Sequence, residues 1–436
     1  MYRKLICTIF FPVVLGLASC GGSDGTLVPV PQSNAAPGED PDNSDSLEDV
    51  AVWKSNGTYA NALYSCALAD QQVEFCNLNT LPLLGMEVSN PGVQDIMGRL
   101  LVSHDWMAER FEQLLQQYPQ EMLILFRGLT AIVIDDDIRP AYYWSATGAI
   151  YLDPNYLWTS VDEKQTINRK QDYRAGFSDP LSLRAWGRHL KNGTYAFNYG
   201  SLHDENPRDF NDVLLINARL LLHELAHVND YLPYQSYDDI NRSRRVYQAI
   251  DDFASGSLSD RLSRQQPLQS SVLSGLAKVM FHGDDPSAAQ AAYSAAEAGD
   301  EFEADAAADM YSYSSQYEDV AMLFEVAMMK YFWDIDYQVA FVSPIGAEKY
   351  CNEYLIGWSA TNWIADTDVK ARAMYVTNEL MPNIDLTLFY QDMPAPEYSS
   401  ATNWCLPQPA GSSALSKMSA QQLTPLNPAD FEMRIH

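Results

Sequence analysis

A chain of 436 residues, 47% apolar and 12% aromatic, carries enough side-chain bulk for one large core or two domains. Its formal net charge of −29 excludes nucleic acid and anionic lipid headgroups as principal partners, because both would be repelled by such a surface. The same charge suits a solvated, soluble exterior.

Arg3 and Lys4 open the chain, and residues 5–16 form an apolar stretch too short for an ordinary membrane span. Leu17-Ala18-Ser19-Cys20 follows and resembles a bacterial lipobox; the plainer alternative is a secretory signal cut nearby. The resemblance implies that residues 1–20 are a lipoprotein signal peptide, that Cys20 is the lipid acceptor, and that the membrane is met only through this N-terminal lipid. Gly21 stands where an Asp would resemble an inner-membrane retention signal, so the expected location is the outer membrane, on its periplasmic face. Residues 21–49, rich in Gly, Pro, Ser, Asn and Asp, are expected to be a disordered tether.

Of six cysteines, Cys7 leaves with the signal. Cys66, Cys76, Cys351 and Cys405 form an even set suited to an oxidising compartment, and the local pairing Cys66–Cys76 with Cys351–Cys405 is preferred among three. No CxxC is present, which argues against thiolate metal binding.

A folded domain is expected over 50–343, with an extension over 344–408 packed on it and a flexible tail over 409–436. Leu100, Leu101, Met107, Phe111, Leu114, Leu115 and Tyr118 recur every three to four positions and predict a helix over 94–118, with His104 on its apolar stripe as a core residue. β-branched and aromatic runs at 129–134, 142–144 and 148–154 predict three strands, the last ended by Pro154 and suited to a sheet edge. Residues 159–211 read as loop. Further helices are predicted over 272–281, 300–314, 322–333 and 367–380.

Between these lies a helix over 212–229, apolar all round and therefore buried, stopped by Pro233. It carries His223-Glu224-Leu225-Ala226-His227. Two histidines four apart share one helical face and can grip one metal ion; the adjacent carboxylate can handle the proton of a water. This is the HExxH pattern of zinc enzymes, with His223 and His227 as ligands and Glu224 as general base.

A catalytic zinc needs a third protein ligand and an open fourth position. Asp230 and Pro233 occupy the positions where metzincins carry Gly and a third His. No Glu lies between Glu224 and Glu297, so the thermolysin-like spacing fails too. The next acidic cluster is Asp300-Glu301-Phe302-Glu303-Ala304-Asp305. With the HExxH it resembles the E-x-x-A-D segment of HtpX-like and CAAX-prenyl-protease-like gluzincins, a resemblance covering residues 130–320. It implies that Glu301 is the third ligand, with Glu303 as the rival, and that Asp305 orients a zinc-binding His. The fold implied is α+β and mostly helical, with a small sheet beside a buried metal-binding helix and a helical C-terminal region. By the same resemblance, residues 149–152 are the candidate substrate-pairing strand, or else a plain structural edge.

The expected activity is hydrolysis of peptide bonds in periplasmic or outer-membrane proteins by a metalloendopeptidase with one Zn²⁺ per chain and a polypeptide substrate. Tyr231, His282, Tyr311 and Tyr313 are oxyanion-donor candidates by residue type. Two further readings are a lipid-anchored binding or assembly factor with a structural or degenerate zinc site, and a zinc hydrolase acting on cell-wall amides.

Overall fold

Two long helices, Phe210–Tyr231 and Gln316–Trp333, lie against each other at the centre of the largest apolar cluster. Around them the chain is α+β and mostly helical, with two five-stranded sheets among the described residues. The computed structural model describes residues 47–346 and 350–405. Cys20 with its signal peptide, residues 21–46 of the tether and the C-terminal tail lie outside them.

The first sheet contains β1 (Ala51–Val52), β2 (Leu100–Val102), β3 (Ala131–Ile134), β4 (Tyr142–Trp144) and β5 (Ala149–Leu152), in the order β1-β2-β3-β5-β4. Strands β2, β3 and β5 run parallel; β1 and β4 are antiparallel to their neighbours. Both faces are covered. Ile150 and Leu152 enter the main core, while Ala149 and Tyr151 enter a second cluster with Leu63 and Cys66.

Burial on both faces corrects two sequence expectations. The helix expected over 94–118 is two helices, Val93–Met97 and Asp105–Leu115, separated by β2. Leu100, Leu101 and Val102 are all buried, so this strand shows no polar alternation and blends into a helical stripe. His104, expected as a core residue, instead stands at the N-cap of the second helix with its side chain 36% exposed and its Nδ1 3.0 Å from Ser103 Oγ. The candidate substrate strand Ala149–Leu152 is an inner strand, flanked by β3 and β4; the edge on that side is β4.

The second sheet is antiparallel: β6 (Arg184–Lys191), β7 (Thr194–Tyr195), β8 (Asp336–Pro344), β9 (Tyr354–Thr361) and β10 (Glu397–Ser399), in the order β10-β9-β8-β6-β7. It joins strands from both sides of residue 344 through backbone hydrogen bonding. Strand β6 lay within the stretch read as loop, because its inward residues are charged. Arg188 is buried, donates to Gln338 Oε1 (2.6 Å) and Trp404 O (2.7 Å), and stacks on the Trp404 ring. A buried cation satisfied in this way leaves no apolar signature. Disulfides join Cys66 to Cys76 and Cys351 to Cys405. Among the described residues no helix is long and apolar enough to cross a membrane.

Three contacts fix the position of the Phe210–Tyr231 helix. Asp209 caps its start by accepting from Asn211 N (2.8 Å). Tyr118 Oη donates to Leu214 O (3.1 Å) near that end, and Asn229 Nδ2 donates to Leu125 O (2.8 Å) at the other. At Gly128 a Cβ would lie 2.4 Å from Val228 Cγ1, so only glycine permits this close approach.

Candidate metal centre

On the Phe210–Tyr231 helix, Arg219, His223 and His227 follow one another at four-residue spacing and therefore share a face. The Gln316–Trp333 helix presents Glu318 and Glu325 to that face, seven residues or two turns apart. Arg219 meets Glu325, whereas His227 meets Glu318, so the helices run antiparallel along the site.

His223 Nε2 lies 3.0 Å from Glu318 Oε2, and His227 Nε2 lies 3.3 Å from the same oxygen. One carboxylate oxygen thus meets both imidazoles, and the three ligand atoms lie within 4.8 Å of one another. In a tetrahedral zinc site with bonds of about 2.0–2.1 Å, neighbouring ligand atoms stand roughly 3.3–3.4 Å apart. The two observed separations are close to that edge length. The His/His/Glu set fits a zinc-sized divalent cation in both donor type and spacing.

The far side of His223 is held as firmly. Its Nδ1 lies 3.2 Å from Glu325 Oε2. Glu325 is fully buried, receives both contacts of Arg219 Nη1 (3.3 Å each), and has His189 Nε2 3.6 Å from its Oε1. A carboxylate on the second ring nitrogen fixes the tautomer and leaves Nε2 for a metal. Burial pushes Glu325 up, but the Arg219 charge and the hydrogen bonds from His189 and His223 outweigh it, holding the carboxyl well below its ordinary range.

Electrostatics favour a cation here. Burial opposes a charged His223, yet Glu318 and Glu325 together raise its pKa to about 10. Glu318 is itself held well below the usual carboxylate range, as His227 and His223 outweigh its burial. Glu224 is only 3% exposed, and burial raises its pKa despite the adjacent imidazoles. Three carboxylates (Glu224, Glu318 and Glu325) thus face a single fixed cation, Arg219. A cluster so charged is suited to a metal ion.

The structure corrects the third ligand. Glu301 is not part of the cluster: its Oε2 accepts from Ser270 Oγ (2.7 Å). Asp305, expected to orient a histidine, instead accepts from the backbone N–H groups of Gln269 (2.7 Å) and Ser270 (2.9 Å). Glu303, the rival, accepts from Trp358 Nε1 (2.7 Å). The cause is an earlier helix. Ser294 and Glu297 form a capping box that starts it at Ala295, and it ends at Glu303. Glu301 and Asp305 therefore do not share a continuing helical face, and the 3₁₀ turn Met310–Tyr313 replaces the expected continuation to residue 314.

Glu318 was missed because Ser315-x-x-Glu318 reads as a helix start, and Ser315 Oγ does accept from Glu318 N (3.2 Å). A usable signal was Glu325, a lone acid among Met322, Leu323, Phe324, Val326 and Ala327, which requires a buried partner. Of the four oxyanion candidates, Tyr311 is brought to the site, its ring stacked 6.1 Å from that of His223. Tyr231 sits one turn beyond His227. His282 Nε2 contacts Ser314 O (3.3 Å), and Tyr313 packs toward Phe302.

No family model, curated protein or solved structure matches this chain. A buried His/His/Glu cluster suited to a metal ion is what the geometry establishes.

Proposed function

We propose that the protein is a zinc-dependent peptidase of the zincin type, exported and held by lipid at Cys20 on the periplasmic side of the outer membrane. The observation that carries the catalytic reading is the single Glu318 oxygen placed 3.0 and 3.3 Å from the two HExxH imidazoles. The lipobox-like Leu17–Cys20 stretch and two disulfides support the exported setting.

His223, His227 and Glu318 would hold the ion, which when bound supplies Lewis acidity toward a carbonyl and a more acidic water. Glu224 takes the proton of the attacking water and delivers it to the leaving amine; its raised pKa suits a group that must carry a proton between the two. Tyr311, stacked on His223, is the tyrosine best placed to donate to a developing oxyanion. Strand β4, the edge of its sheet, has unpaired backbone groups on its outer side that an extended peptide can use.

One observation favours a structural zinc in a binding protein instead: His223 and Glu224 are almost wholly buried. The Glu318 and His227 side chains, 19% and 10% exposed, leave solvent a way in. Incubation with denatured casein, with and without chelator, tests the reading. Chelator-sensitive cleavage that is abolished in Glu224→Gln, with zinc retained, is expected; turnover persisting in that variant removes the assigned role. Release from cell-wall fragments in place of casein would shift the reading to an amide hydrolase.

A further inference from the structure

Strands β6 and β8 of the second sheet hold His189 and Tyr337 directly opposite each other. Both side chains are buried, and their rings meet at 4.9 Å. His189 Nδ1 lies 3.1 Å from Tyr199 Oη. Its Nε2 makes no hydrogen bond and faces Glu325 Oε1 at 3.6 Å. Burial pushes the His189 pKa down, so the ring is neutral and carries one N–H. Facing a carboxylate, Nε2 is the nitrogen that carries it, and Tyr199 donates to Nδ1.

Tyr337 reaches the metal helix by a separate route. Its Oη donates to Asp309 Oδ2 (2.8 Å), Asp309 Oδ1 accepts from Tyr311 N (2.8 Å), and the Tyr311 ring stacks on that of His223. Gly187, two residues before His189, leaves room for this route: a Cβ there would lie 1.7 Å from Tyr337 Oη. Two chains of contacts therefore leave one cross-strand pair and end on one imidazole. The first arrives at Nδ1 through Glu325, the second at the ring face through Tyr311. A pair that only filled the core would be served better by apolar side chains, since buried polar groups cost stability unless they are satisfied.

We infer that His189 and Tyr337 are positioning residues through which the second sheet fixes the His223 ring, His189 acting through Glu325 and Tyr337 through Asp309 and Tyr311. The inference rests on the zinc reading of the His/His/Glu cluster and is independent of the substrate. Its test uses the purified protein with Zn²⁺ and, as a spectroscopic probe, Co²⁺, whose visible absorption follows ligand geometry. His189→Phe keeps a ring and removes both nitrogens, His189→Gln keeps a side-chain N–H, and Tyr337→Phe removes one oxygen.

We expect His189→Phe and Tyr337→Phe each to weaken zinc binding about tenfold, at the lower end of what losing an outer partner of a ligand costs. Both should shift the cobalt spectrum, and His189→Gln should restore it. Comparison in a second background separates the two routes. With Glu325→Met, which removes both carboxylate oxygens, His189→Phe should cost nothing further, whereas Tyr337→Phe should still cost about tenfold. Unaltered affinity and spectrum in either variant would overturn the inference. So would an equal loss from His189→Phe in both backgrounds, or a lowered Tm with an unaltered cobalt spectrum, which is what packing alone would give. Should His189→Phe fail to fold, Tyr337→Phe decides by the same spectrum. A wild-type protein that takes up neither ion would instead remove the zinc reading itself.

Discussion

Glu318 and Glu325, two turns apart on one helix, grasp His223 through its two ring nitrogens: Glu318 at Nε2 (3.0 Å) and Glu325 at Nδ1 (3.2 Å). One carboxylate shares the ligand atom's side of the ring, and the other orients it from behind. This division of labour separates metal binding from positioning, and each part has a distinct expected phenotype.

Removing Glu318 should cost the metal itself. Zinc content measured by atomic absorption after gel filtration should be near one per chain in the wild type and in Glu301→Ala, and far below one in Glu318→Ala. With two imidazoles left, affinity should fall at least as far as the roughly 10–100-fold typical of losing an outer-shell partner alone. Full zinc in Glu318→Ala would exclude it as a ligand.

Glu325→Gln keeps the shape but removes the charge that fixes His223 and balances Arg219. Zinc affinity, from competition with a chromophoric chelator, should fall about 10–100-fold. Thermal stability should fall as well, because the fully buried Arg219 loses its charged partner, a change that costs about 3–5 kcal/mol when one member of a buried pair is removed. An unchanged chelator titration would show that Glu325 does not position the ligand.

Asp135 provides a pH-dependent test away from the site. It is 2% exposed, and burial, with neighbouring Asp136 and Asp137 adding to it, raises its pKa from 3.8 to about 6. Between these two values the folded chain keeps a proton that the unfolded chain has released. Its contribution to stability therefore declines as pH rises from about 4 to 6 and stays low above that. Asp135→Asn retains an acceptor for Asp137 N (2.8 Å) and should stabilise by about 1–3 kcal/mol at pH 7 but scarcely at pH 3.5. Urea titrations at the two pH values should differ by this amount; equal shifts would contradict the burial effect.

Gly128→Ala should destabilise by about 1–3 kcal/mol, the usual cost of overpacking, because the new methyl would meet Val228 on the metal helix. A lowered Tm with near-normal zinc content is expected, since Val228 adjoins His227 but points away from the ligand face. An unchanged Tm would mean that this approach is looser than the structure indicates.

What sequence determined is what a single helix determines. His223, Glu224 and His227 are tied together by the 3.6-residue period, so their convergence follows from local backbone geometry alone. The strands at 131–134, 142–144 and 149–152 were legible for a similar reason: short β-branched and aromatic runs leave few alternatives. Glu318 had no such local mark. At the third position of its helix it is indistinguishable from a capping residue, and Glu301, which looked better by motif, is turned toward Ser270. Strand β6 was hidden likewise: its buried Arg188 and His189 find partners far along the chain, in Gln338, Trp404 and Glu325, and its buried Arg184 donates to the carbonyls of Ser178, Leu181 and Leu183. Which carboxylate meets the imidazoles depends on how two helices nearly a hundred residues apart pack, and packing is a property of the assembled core rather than of any segment within it.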